Sequence, residues 1–217
     1  MKYKNILFDL DGTITDSSPG IINSYLHSLT KIGLAENDIE KLKSYIGSPL
    51  RAYYTERHNL STADSDIAVK HFREHYSEIG IFENAVYPGM AELIEKLQEN
   101  GFRLYIATSK PLEFAITVLN HFNLKEYFNS IHGSDMSADN KPKDKLIADA
   151  ILMNGLSKKE SIMIGDRYHD INGAKSNGIA SIAVTYGFGS EAELSELDPE
   201  FMVSSADEIN KIFFPET

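Results

Sequence analysis

Short apolar runs alternate with helical periodicities along most of this chain, and that alternation restricts the topologies open to it. The runs are Ile6-Leu7-Phe8, Arg103-Leu104-Tyr105-Ile106-Ala107, Ser161-Ile162-Met163-Ile164 and Ser181-Ile182-Ala183-Val184. Each is apolar at successive rather than alternate positions, the mark of a strand covered on both faces. Between them Leu93, Ile94 and Leu97 share one helical face, as do Phe114, Val118, Leu119 and Phe122, and again Leu146, Ile147, Ala150 and Ile151. Asn100-Gly101, Asn154-Gly155 and Asn177-Gly178 each close such a pattern and turn the chain toward the next apolar residue, as a left-handed residue at a helix end does. Strand and helix alternating through short joints give an α/β unit, a parallel sheet with helices on both faces.

The stretch from Ser17 to Asn84 breaks the rhythm. It holds no convincing buried strand, only helical stripes: Ile21, Ile22, Tyr25, Leu26, Leu29 and Ile32; Ile39, Leu42 and Ile46; Phe72, Tyr76 and Ile79. Gly33, Gly47-Ser48-Pro49 and Gly80 separate the pieces. One crossover needs only about a dozen residues or slightly more, so this segment reads as a small four-helix insert after the first strand. The expected division is an α/β core, residues 1–16 and 85–217, and an all-helical domain, residues 17–84.

Composition excludes several classes. With 21 Lys+Arg against 32 Asp+Glu the formal charge is −11, which disfavours a nucleic-acid polymer or an anionic membrane as partner. Hydrophobic residues at 42% are enough to fill a core in a chain of 217 residues. The absence of cysteine removes disulfides, thiolate catalysis and Cys-ligated metals, and is compatible with a cytoplasmic location. An acidic residue, Asp9, follows the first apolar run too early for a signal peptide. No stretch approaches the roughly 18–20 apolar residues of a membrane helix.

In an open parallel sheet, ligands gather outside the carboxyl ends of the strands. The first strand is followed by Asp9 and Asp11, the second by Thr108, Ser109 and Lys110, and a later one by Gly165, Asp166 and Asp170. Lys141-Pro142-Lys143 precedes a helix between them. Carboxylates converging on one crevice resist ionisation unless a cation joins them, and oxygen-only ligation suits Mg²⁺ better than zinc. A bound Mg²⁺ would let an acidic crevice accept a phosphate, with lysine, hydroxyl and backbone N–H groups on its other oxygens. One aspartate could then act as nucleophile and a second as proton donor.

Phe8-Asp9-Leu10-Asp11-Gly12-Thr13, with Asp16-Ser17 after it, resembles the first motif of the haloacid dehalogenase (HAD) superfamily of Mg²⁺-dependent phosphotransferases. Ala107-Thr108-Ser109-Lys110-Pro111 resembles the second motif, and the spacing of Gly165-Asp166 to Asp170 the fourth. The motifs run in order along the whole chain, with the helical insert where the superfamily carries its small cap domain. The phosphoglycolate-phosphatase-like group is the most similar. Gly165-Asp166-Arg167 with Asp170-Ile171 and Ala174, and the later Tyr186-Gly187-Phe188-Gly189, resemble a branch described as 5′-nucleotidase-like. The resemblance implies a Rossmann-like parallel sheet with a helical-bundle cap and a phosphatase acting on a small phosphorylated metabolite.

The same resemblance implies roles. Asp9 is the expected nucleophile and a metal ligand. Asp11 is the expected general acid and then base, touching the metal through its backbone carbonyl. Thr108 would bind the phosphoryl group, with Ser109 beside it. Asp166 would complete the metal site, and Asp170 would lie just outside it or on a metal-bound water. For the phosphate-binding lysine, Lys141 fits one form of the third motif and Lys143 the form of the closer branch. Both precede Gly155 at suitable distances, and Lys143 is preferred.

Ordinary structural duties compete with several of these readings. Thr108 and Ser109 suit a helix start ahead of Pro111, and Asp170 suits a first helical turn. Lys110 divides evenly between a surface lysine and a substrate contact. Segment 46–51 joins two helices and, by the resemblance, would close over the pocket, with Arg51 or Arg57 available to a second anionic group. A phosphomutase or phosphonate hydrolase on the same scaffold, or a non-catalytic phosphate-ligand sensor, stays open, as do the substrate and the oligomeric state.

Overall fold

The computed structural model describes residues 2–136 and 141–215. Its strands are β1 (Asn5–Phe8), β2 (Thr15–Asp16), β3 (Ala85–Val86), β4 (Arg103–Pro111), β5 (Ser130–Ser134), β6 (Ser161–Gly165), β7 (Ala180–Val184) and β8 (Phe201–Val203). Its helices are α1 (Ser18–Lys31), α2 (Ile39–Lys43), α3 (Leu50–Ala52), α4 (Thr62–Glu78), α5 (Met90–Glu99), α6 (Leu112–His121), α7 (Lys143–Met153), α8 (Tyr168–Asn177), α9 (Glu191–Ser195) and α10 (Ala206–Phe213). The chain divides into two compact units, residues 1–16 with 86–217 and residues 17–85.

In the larger unit six strands form one parallel sheet in the order β5-β4-β1-β6-β7-β8. The chain runs outward from β1 to β4 and β5, then crosses back to β6 on the other side of β1, so the order reverses at the centre of the sheet. Such a reversal opens a crevice at the strand carboxyl ends. Register places Leu7 opposite both Tyr105 and Met163. With Ala107 they form one layer of core, covered by Ile147, Ala150 and Ile151 of α7 and Ala174 of α8. By the two-residue period of a strand, Ile6, Phe8, Leu104, Ile106, Ile162 and Ile164 face the other way, and all are fully buried. Each such aliphatic side chain contributes roughly 1.5–3 kcal/mol. Gly101, Gly155 and Gly178 all take positive φ at the ends of their helices.

Two strands of this sheet were not legible as strands: β5 has no continuous apolar run, and that of β8, Phe201-Met202-Val203, is only three residues long. β5 and β8 lie at the two edges of the sheet, where one side of the backbone and part of each face meet solvent, so Ser130-Ile131-His132-Gly133-Ser134 suffices. β4, conversely, extends past its apolar run through Thr108 to Pro111.

In the smaller unit α1 and α4 are the long helices, and α2 and α3 are short. The chain between them turns at Gly47 (φ 90°) and passes from α3 into a single π-helical turn over Tyr53–Arg57. Ile22, Tyr25 and Leu29 of α1 face inward, with Phe72 and Tyr76 of α4, whereas Ile79 is exposed. The core is aromatic: Tyr25 lies 4.5 Å from Tyr53 and 4.7 Å from Phe72 between ring centroids. Gly20 and Gly80 let α1 and the turn after α4 touch, since a Cβ on Gly20 would fall 1.8 Å from the Gly80 carbonyl oxygen. Among the described residues no helix is long and apolar enough to cross a membrane.

Arg51 and Arg57 are both paired within this unit. Arg51 Nη2 lies 2.6 Å from Asp66. Arg57 grips Glu36 through Nε at 2.7 Å and Nη2 at 3.2 Å, and the Asn37 and Asp38 amides donate to the same carboxylate at 2.9 Å. Hydrogen bonding from Arg57 and then from the Asp38 amide holds Glu36 down to about 2. A carboxylate depressed on folding stabilises above its unfolded pKa, and that contribution is lost as pH falls toward the folded value. Glu36→Gln is therefore expected to melt below the wild type at pH 7. The gap should narrow between about pH 4.5 and pH 2; melting curves across that window check it, and a gap independent of pH contradicts it.

Candidate active site

Three carboxylates reach one point from three places in the larger unit. Asp9 follows β1, Asp166 follows the neighbouring β6, and Asp170 stands in the first turn of α8. Their oxygens lie within 4.8 Å of one another, and among the described residues this group is able to hold a metal ion. Asp166 and Asp170 are completely buried and Asp9 nearly so. Gly165 makes the approach possible, because a Cβ there would sit 2.2 Å from the Asp170 carboxyl carbon.

Local hydrogen bonds aim each group. The Leu10 amide donates to Asp9 Oδ1 at 2.7 Å, and the Arg167 amide to Asp170 Oδ2 at 3.0 Å. Asp166 accepts from the Phe188 amide at 2.7 Å and from the Thr13 hydroxyl at 3.3 Å. Gly12 is left-handed (φ 83°), and a Cβ on it would strike Asp166 Oδ2 at 2.2 Å. The Asp-Gly-Thr sequence is thus a tight turn laid directly over the third acid.

Lys143 supplies the opposing charge. Pro142 fixes the entry to α7, so Lys143 is its first helical residue. Its ammonium lies 2.8 Å from Asp9 Oδ2 and 2.8 Å from Asp170 Oδ1, and donates to the Ala107 carbonyl at 3.1 Å. Burial alone would lower its pKa, but the Asp170 and Asp9 carboxylates outweigh burial and raise it. Burial pushes the Asp9 carboxyl up to about 6 against the pull of Lys143, and pushes Asp166 well above the carboxylate range with Asp170 and Asp9 adding to it. Once all three are ionised, three carboxylates against one ammonium leave two negative charges, a balance that one divalent cation would meet. An all-oxygen donor set of this kind suits a hard cation.

Asp11 stands apart from that trio. Lys110 Nζ donates to both its oxygens, at 2.9 and 3.0 Å. In the extended end of β4, residues 108 and 110 share a face, which brings Thr108 and Lys110 to the site together. The Lys110 amide donates to the Thr108 hydroxyl at 3.3 Å. Lys110, expected as a surface lysine or a substrate contact, is a buried partner of Asp11. Ser109 points away from that face and is half-buried.

Two expectations need correction. Lys141 does not enter the site: it precedes Pro142, and its ammonium pairs with Asp149 of α7. Arg51 is bound to Asp66 within the helical unit rather than held out for an anion. Apart from these two, Asp170, expected behind the metal ligands or on a metal-bound water, has a carboxylate oxygen within 4.8 Å of those of Asp9 and Asp166.

The profile of a family described as haloacid dehalogenase-like hydrolase matches residues 6–184. The chain belongs to that family. A Pseudomonas aeruginosa protein named 5′-nucleotidase is 42% identical to it over 199 residues, which cover 92% of this chain and 90% of the relative. A Mesorhizobium japonicum protein named phosphoglycolate phosphatase is 30% identical over 207 residues, 93% and 91% of the two chains. A solved structure described as a predicted phosphatase from Clostridium acetobutylicum covers both chains completely with a TM-score of 0.92 at 38% identity. As a haloacid dehalogenase-like protein with such relatives, the chain is a hydrolase of the phosphatase type.

The two lysines give a contrast that stability can read. Lys143→Met should destabilise the metal-free protein by about 3–5 kcal/mol, because it strands two buried carboxylates. Lys141→Met, removing a half-exposed pair, should stay within about 0.5 kcal/mol of wild type. Urea unfolding of both variants checks the pair; equal effects would contradict the placement.

Proposed function

We propose that the protein is a Mg²⁺-dependent phosphatase that hydrolyses a small phosphate monoester through an aspartyl-phosphate on Asp9. The observation that carries this reading is the trio Asp9, Asp166 and Asp170 around the Lys143 ammonium, with Asp11 close by in sequence and Asp9 retaining slight exposure. Asp9, Asp166, the Asp11 carbonyl and, directly or through water, Asp170 would hold the cation. When bound, it would offset the negative charge of the carboxylates and the phosphoryl oxygens.

The remaining chemistry belongs to the chain. Lys143 and the Thr108 hydroxyl hold the phosphoryl oxygens, while Ser109, on the other face of β4, takes no part. An Asp9 oxygen bonds to phosphorus as the bond from phosphorus to the leaving oxygen breaks, and Asp11 gives that oxygen its proton. Asp11, now a carboxylate, takes a proton from water. The water oxygen bonds to phosphorus, the Asp9–phosphorus bond breaks, and inorganic phosphate leaves. Lys110 orients Asp11 by donating to whichever of its oxygens carries no proton.

For the substrate, the higher similarity to the protein named 5′-nucleotidase favours a nucleoside monophosphate, with phosphoglycolate next. A panel of phosphate monoesters with Mg²⁺, with and without chelator, tests the reading. Turnover should disappear with chelator and fall on the order of 10³-fold or more in Asp9→Asn. Asp11→Asn should slow alkyl esters far more than an aryl ester such as p-nitrophenyl phosphate, whose leaving group needs little protonation. Full activity of Asp9→Asn, or of the wild type in chelator, would overturn the mechanism.

A further inference from the structure

The loop after β7, Tyr186-Gly187-Phe188-Gly189, has no part in the steps above, yet it surrounds Asp166. The Phe188 amide donates to one Asp166 oxygen at 2.7 Å. The other oxygen accepts from the Thr13 hydroxyl, and the Tyr186 hydroxyl donates to the Thr13 carbonyl at 2.9 Å. Both donors to the Asp166 carboxylate, one a backbone amide and one a hydroxyl, are therefore tied to this loop. The Tyr186 ring lies against Tyr87, centroids 4.6 Å apart, and the Tyr87 amide donates to Ile14 at 3.0 Å, so the base of the loop is held as well.

Its glycines are explained by closeness and not by backbone freedom, since neither has positive φ. A Cβ on Gly187 would fall 2.3 Å from the Gly12 carbonyl oxygen, 2.4 Å from Asp166 Cβ and 2.6 Å from Asp166 Oδ2. A Cβ on Gly189 would fall 2.0 Å from the Asp166 carbonyl oxygen. Such separations are far inside contact distance, and what would have to move is Asp166 or the turn over it.

We propose that loop 186–189 is a clamp that sets the Asp166 carboxylate for a divalent cation, with Tyr186, Gly187, Phe188 and Gly189 as positioning residues. The inference rests on the reading of Asp166 as a ligand of that cation. A side chain that holds a ligand from behind tunes affinity without touching the ion, and losing such support commonly costs about 10–100-fold in metal binding.

Calorimetric titration of Mg²⁺ into the metal-free full-length protein tests it, alongside the melting temperature of each metal-free variant. Gly187→Ala should weaken Mg²⁺ binding at least about tenfold. Tyr186→Phe, which deletes only the hydroxyl on Thr13, should weaken it several-fold while melting close to wild type. A purely structural loop would give the reverse, a lower melting temperature with unchanged affinity, and that result overturns the clamp. If Gly187→Ala does not fold, Tyr186→Phe decides alone. Loss of binding in Asp166→Asn with wild-type affinity in both loop variants removes the clamp only. Wild-type affinity in Asp166→Asn removes the cation reading and the clamp together.

Discussion

A buried ammonium between two buried carboxylates organises the larger unit. Lys143 stands at the first turn of α7, and from there it reaches Asp9 at the end of β1, Asp170 in α8 and the Ala107 carbonyl on β4. One side chain thus ties the central strand, its neighbour and two helices that cover the same face of the sheet. Taking a charge out of water is costly, and the contact is held because the ammonium lies at ion-pair distance from both carboxylates while their other oxygens accept backbone amides. Asp170 accepts from the Arg167 amide, and Asp9 from the Leu10 amide. The sheet below is correspondingly rigid: β1 is buried at all four positions and hydrogen-bonded on both sides.

The arrangement leaves more negative charge than Lys143 can answer, and this gives the acidic composition a local meaning. A net charge of −11 repels long polyanions. On the function proposed above, the acids brought together with one lysine at the strand ends would favour a divalent cation, and through it a small phosphate ester would become acceptable. Around that place the chain uses backbone more than side chains. Gly12, Gly165, Gly187 and Gly189 all admit a neighbour that a Cβ would exclude, and each neighbour is Asp166, Asp170 or the turn over them. The glycines near the acids serve geometry at the site.

Much of this was legible in the sequence, for physical reasons that also mark where legibility ends. β1, β4, β6 and β7 are covered on both faces, so their apolar runs announce them, whereas edge strand β5 needs no such run and that of edge strand β8 is only three residues long. Asp9, Asp11, Thr108 and Asp166 are readable because each follows an apolar run where a parallel sheet opens. The choice between Lys141 and Lys143 was not readable from spacing. It turns on Pro142, which starts α7 and leaves Lys141 outside the helix, free to fold back on Asp149. Lys110 was obscured because the strand continues past its apolar run, and only that extension puts Thr108 and Lys110 on one face. In the helical unit, Tyr53 and Tyr54 are fully buried through a π-turn whose residues have no helical stripe, and the partners of Arg51 and Arg57 are remote in sequence.

The central claim is that Asp9, Asp166 and Asp170 gather one divalent cation. Crystals of the protein grown with Mn²⁺ in place of Mg²⁺ and measured at the manganese absorption edge test it most directly. One strong anomalous peak per chain is expected, bounded by those three carboxylates and lost in Asp166→Asn. A peak elsewhere, or none between the three acids at saturating Mn²⁺, would contradict it.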